Sequence, residues 1–129
     1  MYDNIRKDIY ELMPQITGLN IVPDAMQIEV GSAPVARLSI IPGSSKFNNF
    51  GYSQKTLSGY VILAIFVKTE SGHKELFDIA DKIDLIMQNK KCSNGTTFAS
   101  SSMDIKGIDP QDSSLFRGDY LIKFNYYGE

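Results

Sequence analysis

Two long runs of apolar residues dominate the C-terminal two-thirds of the chain. Leu57–Lys68 (LSGYVILAIFVK) is apolar at nearly every position, whereas Phe116–Tyr126 alternates, with Phe116, Tyr120, Ile122, Phe124 and Tyr126 on one face. Alternation at period two predicts a strand buried on one side, and a run apolar on both sides predicts a central strand covered on both. In Leu57–Lys68 one face carries Val61, Leu63, Ile65 and Val67, the other Tyr60, Ile62, Ala64 and Phe66. Between the two runs, Gly72–Asn89 repeats Leu76, Ile79, Ala80, Ile83, Ile86 and Met87 at helical spacing. That helix covers one side of the sheet. The N-terminal helix, or a second copy of the protein, is expected to cover the other.

The N-terminal third is more broken. Tyr2–Met13 reads as a helix with an Ile5, Ile9, Leu12 stripe and Asp3 in its first turn, ended by Pro14. QITGLNIVPD reads as a connector. Met26, Ile28 and Val30, then Ala36, Leu38 and Ile40, alternate with polar residues around a Gly-Ser-Ala-Pro turn, so Met26–Ile41 is expected to be a hairpin. Pro42–Thr56 (PGSSKFNNFGYSQKT) is expected to be a flexible loop. Its aromatics Phe47, Phe50 and Tyr52 either fold back on the core or grip a neighbouring subunit. Ala99–Ile105 is a weak strand followed by a polar turn. These elements predict a single α+β domain over residues 1–129. Its sheet is mainly antiparallel, with one long helix packed on a face and an N-terminal helix.

Composition narrows the function classes. The 129 residues are 43% hydrophobic and 22% charged with a formal net charge of −2, an ordinary globular balance without the basic face of a general nucleic-acid binder. The apolar runs are too short for a membrane helix, and the charged N-terminus does not read as a signal peptide. Cys92 is the only cysteine, so no intrachain disulfide exists and folding in a reducing cytoplasm is expected.

Candidate chemistry is sparse. His73 is the sole histidine, at the start of the long helix, and Cys92 lies beyond its other end. At 1.5 Å per residue they stand roughly 28 Å apart, too far for a nucleophilic pair. One His and one Cys do not make a closed zinc site. Asp78, Asp81 and Asp84 recur every third residue and read as a solvated helix face, with Asp78 placed to pair with Lys82. Asp104, Asp109 and Asp112 lack calcium-loop spacing and read as turn chemistry. Asn94-Gly95-Thr96 matches a glycosylation sequon but reads as a turn. No phosphate-binding glycine loop and no G-x-S-x-G are present, so neither catalytic residues, cofactors nor metals are expected.

The opening helix IRKDIYELM, the strand GYVILAIFVKTE, the helix GHKELFDIADKIDLIM and the ending RGDYLIKFNYYGE, in that order, resemble the tail terminator or minor capsid proteins of tailed bacteriophages. The resemblance implies a homo-oligomeric ring, a hexamer, that caps the tail tube and joins it to the head. The implied partners are the tail tube protein and a head-completion or neck protein, within a virion assembled in the bacterial cytoplasm. It implies no enzyme activity, no membrane and no specific nucleic-acid recognition. Such a ring needs an apolar patch left over after folding, for which Phe47, Phe50, Tyr52, Tyr60, Ile62 and the outward-facing Leu85 are the candidates. The alternative is a small ligand- or peptide-binding module that uses the aromatic segment 42–56 as its grip.

Overall fold

A computed structural model describes residues 2–16, 19–23, 34–47, 55–70, 72–88, 90–110 and 114–128. Helix α1 (Tyr2–Leu12) runs into a 3-10 turn (Met13–Gln15), followed by strands β1 (Asn20–Pro23), β2 (Val35–Phe47) and β3 (Lys55–Lys68). Helix α2 (Gly72–Met87) leads to β4 (Thr96–Ile108) and β5 (Leu115–Gly128). One five-stranded sheet has the order β1-β2-β3-β5-β4. The β1–β2 pair is parallel and every other pair antiparallel. The fold is the α+β arrangement expected, with β3 central and β5 inserted between β3 and β4.

The core lies on one face. Ala36 and Leu38 of β2, alternate residues Leu57 to Val67 of β3, and Tyr120, Ile122, Phe124 and Tyr126 of β5 form a single buried cluster. The α2 stripe Leu76, Ile79, Ala80, Ile83 and Met87 packs into it, and so do Ile5, Ile9 and Leu12 of α1. An isolated helix of eleven residues is marginal in water. Burial of three aliphatic side chains, each worth roughly 1.5–3 kcal/mol, holds α1 in place. Both helices therefore cover the same face, and the expectation that α1 would cover the second is corrected. Its apolar stripe follows the period that α2 follows, and nothing in that period says which side of the sheet it meets.

Three segments differ from their sequence reading. Asn20–Pro23, taken as connector, is the parallel partner of Val35–Leu38, so on this stretch β2 pairs with β1. Met26–Val30, the other half of the expected hairpin, lies outside the described residues. A parallel pair needs a long connection, and turn residues carry no mark of it. The expected loop Pro42–Thr56 is strand at both ends: β2 continues to Phe47 and pairs with Lys55. The register shifts between Pro42 and Ser45, a bulge that carries the strand past a residue lacking an N–H. Here a Cβ on Gly43 would stand 2.2 Å from the Ser58 carbonyl oxygen, so only glycine permits the approach. Phe50 and Tyr52 lie outside the described residues. Finally, β4 is longer than Ala99–Ile105. Its serine-rich run has weak strand propensity, overridden by the ladder to β5.

Two carboxylates lock the helices to the sheet. Asp8 of α1 is fully buried and accepts hydrogen bonds from the backbone N–H of Asn94 (3.2 Å), the Asn94 amide Nδ2 (2.9 Å) and the Thr96 N–H (3.2 Å). Asn94-Gly95-Thr96 is thus a turn, as read, but a turn clamped from 86 residues away. Gly95 adopts φ +106°, and a Cβ there would meet the Tyr127 carbonyl oxygen at 2.2 Å. Asp84 corrects the solvated-face reading of the three helix aspartates. It is half-buried and accepts from the Tyr120 hydroxyl and from Ser101 Oγ (2.9 Å). Asp78 does stay exposed, but its ion-pair partner is Lys74 at 3.2 Å rather than Lys82. Burial, then the Asp84 contact, pushes the Tyr120 hydroxyl well above its ordinary pKa.

Candidate interaction surface

The second face of the sheet is built from the alternate residues of the same strands, and the register sets them in rows. Ile41, Tyr60 and Lys123 form one row. Ser39, Ile62, Leu121 and Ser102 form the next, then Arg37, Ala64, Asp119 and Asp104, then Val35, Phe66 and Arg117. The rows grade from apolar and open to charged and closed. Ile41 is 49% and Tyr60 47% exposed, while Phe66 is 1% exposed. Tyr127, lower on the same face, is also exposed.

Two arginines lie against the Phe66 ring. The Arg37 guanidinium lies 5.1 Å from its ring centroid and that of Arg117 5.6 Å. Val35, Ala64 and Leu115 complete a small second cluster around it. Arg117 donates to Asp119 at 2.9 Å, and Lys106 pairs with Asp104 at 2.6 Å, which relieves the repulsion of two aspartates facing each other across β4 and β5. The Asp104 hydrogen bond raises the pKa of the Lys106 ammonium. Arg37 has no carboxylate within ion-pair distance among the described residues, and its Nε is buried without a hydrogen-bond partner.

Beside these arginines is a cavity of about 610 Å³. It lies beyond Leu38, the last described partner of β1, with Ser39, Ile40 and Ile41 along its wall. Arg6 and Tyr10 of α1 line it from the helix side, and Arg37, Ile62, Ala64, Arg117 and Asp119 from the second face. Three guanidinium groups meet one carboxylate here, in a chain whose net charge is negative.

Of the residues singled out in the sequence, Tyr60 and Ile62 come together on this face, with Ile41 beside them. Leu85 stands apart on the outer side of α2, 87% exposed, next to Asp81 and Gln88. Phe47 ends β2 opposite Lys55, at the far end of the β2–β3 ladder. Arg37, Arg117, Asp119 and Ile41 were missed. Their only sequence signal is that they occupy the polar half of alternating strands, which reads as solvent until the register stacks them around Phe66.

The residues with nucleophilic or acid–base side chains are spread out. His73 packs edge-on to Phe116 (5.0 Å) and stacks beside Phe77 (6.3 Å). Cys92, half-buried past the end of α2, has its thiol pKa pushed up to about 11 by burial and by the charge of Asp8. No cluster of three metal-ligating side chains occurs among the described residues, and none of their helices is long and apolar enough to cross a membrane.

No family model matches the sequence, and no curated protein matches it. Among solved structures 26 chains match. One of them, known by a serial designation that describes no activity, aligns over 98% of this chain and 95% of its own with a TM-score of 0.67 and 11% identity. At that identity the likeness shows a shared fold.

Proposed function

We propose that this protein is a structural component of a tailed-phage virion, of the tail terminator or minor capsid type. It forms a homo-oligomeric ring, a hexamer, that caps the tail tube and joins it to the head. It acts by shape and self-association, without catalysis or a cofactor. The observation that carries the reading is the uneven cover of the sheet: both helices lie on one face, and the other exposes Ile41 and Tyr60 beside Ile62. An apolar patch at the centre of a broad sheet suits burial against another protein. The order of helix, strands, helix and aromatic final strand agrees with the resemblance in IRKDIYELM, GYVILAIFVKTE, GHKELFDIADKIDLIM and RGDYLIKFNYYGE.

Negative-stain microscopy and sedimentation of concentrated protein, alone and with cognate tail tubes, test this. Closed rings are expected. A compact monomer that also leaves the tubes bare would overturn the reading. The arginine-lined cavity favours a second reading, a small-ligand module. A saturable rise in Tm with a small anion, in a protein that never assembles, would put that reading first.

A further inference from the structure

We infer that the arginine-lined cavity at the edge of β2 receives the Asp81–Leu85 face of helix α2 from a second copy of this chain. The inference rests on the self-association reading above and adds to it the two surfaces that meet.

The cavity asks for one carboxylate and one apolar group. Of its three guanidiniums, Arg6 is matched by Asp3 at 2.8 Å and Arg117 by Asp119 at 2.9 Å. Arg37 has no carboxylate among the described residues, its Nε is buried without a partner, and Phe66 shields one side of it. A guanidinium so placed gains most from an incoming carboxylate, in a charge-assisted and potentially bidentate contact. Ile41 and Ile62 form the apolar part of the same wall.

Helix α2 presents the complementary pair. Leu85 is the most exposed of the large apolar side chains among the described residues. Asp81, one turn earlier, is exposed and has no ion-pair partner among the described residues. Residues at i and i+4 are neighbours on a helix surface, so a carboxylate and a leucine project together. Asp81 then meets Arg37, and Leu85 meets Ile41 and Ile62. One contact satisfies two features that are open among the described residues.

The placement of the two surfaces also decides the symmetry. Helix α2 lies over the first face of the sheet, whereas the cavity opens at the β2 edge and the second face. A patch that docks on a different patch gives a head-to-tail contact, which closes into a ring when the rotation permits. An isologous dimer would need both patches side by side on one face of a copy, and these two lie on different faces.

Two variants test the pairing by sedimentation velocity and negative stain, with circular dichroism as the check on folding. D81K/L85E alters only exposed helix positions, and R37Q keeps a long polar side chain while removing the guanidinium charge over Phe66. Each is expected to weaken self-association on the order of 100-fold. Mixed together, the two are expected to form a 1:1 complex that grows no further, because each retains one intact surface. Rings of D81K/L85E as stable as those of the unaltered protein would overturn the pairing and leave the ring reading standing. An unaltered protein that stays monomeric, with tail tubes bare, would overturn both. A saturable Tm rise with succinate at unchanged assembly would give the cavity to a small carboxylate instead.

Discussion

The two faces of the β3–β5 sheet use the same strands to opposite ends. On the helix-covered face, β3 contributes Leu57, Val61, Leu63, Ile65 and Val67, all fully buried, and β5 answers with Tyr120, Ile122, Phe124 and Tyr126. On the other face the same β3 contributes Tyr60, exposed, and Ile62, half-buried, before closing over Phe66. The difference is one of partners. The first face has two helices and two carboxylate contacts to hold them, one buried and one half-buried, whereas the second has two arginines over one ring and then exposed side chains. The main buried core resides on the first face, and exposed apolar side chains such as Ile41 and Tyr60 on the second.

The sharpest way to break this contrast is to cut the first face. Phe124→Ala empties a fully buried ring that packs over Gly59, where a Cβ would come within 2.8 Å of it. A loss of about 3–5 kcal/mol is expected in urea unfolding. Next in size is Asp8→Ala. It removes the acceptor of two backbone N–H groups, of which that of Thr96 is buried, and of the Asn94 amide, and is expected to cost about 1–3 kcal/mol. The same experiment with Asp8→Asn separates charge from shape.

A smaller effect belongs to Tyr120→Phe, which removes one hydroxyl contact to Asp84 and is expected to cost about 1 kcal/mol. The same hydroxyl sets a pH dependence. Its folded pKa lies above the ordinary value of 10.0, so in strong base the unfolded chain loses this proton first and the native state keeps it. Stability from this group is intact below pH 10 and falls as pH rises past it. Cys92, whose thiol moves from 9.0 to about 11, acts with the same sign from pH 9 upward. Unfolding free energy measured from pH 8 to 11 is expected to decline, with a shallower slope in Cys92→Ala. The native thiol is also expected to react slowly with alkylating reagents at pH 8, because it remains protonated.

The smallest expected effect on the monomer falls on the second face. Tyr60→Ala and Leu85→Ala are expected to change monomer stability by about 0.5 kcal/mol or less, since neither fills the core. Their effect is expected in assembly. A Tyr60→Ala protein that loses as much stability as Phe124→Ala would erase the distinction between the faces.

Much of the first face was readable from residue order. The α2 stripe, the alternation of Phe116–Tyr126 and the α1 stripe each follow a period that a buried element must obey, and their residues are buried except Ile86 and Phe116, which are half-buried. The turn at Asn94-Gly95-Thr96 was readable as a turn. Its clamp by Asp8 was not, because an aspartate in the middle of a charged helix carries no local sign of a partner 86 residues later. Asp84 misled for the same reason: three aspartates at a spacing of three look alike, and only the position of Tyr120 and Ser101 distinguishes one of them. The bulge after Pro42 hid a strand, since proline, glycine and serine are also what a loop contains.

Residue order alone specifies the α+β class, the central strand, and the inward faces of β5 and both helices, because hydrophobic burial imposes the periods 2 and 3.6 on any chain that satisfies it. Tertiary structure alone decided that α1 and α2 share one side of the sheet, that β1 runs parallel to β2, and that Arg37 and Arg117 meet over Phe66. Those outcomes depend on strand register and connection, which bring distant residues within a few ångströms and leave no periodic trace along the chain.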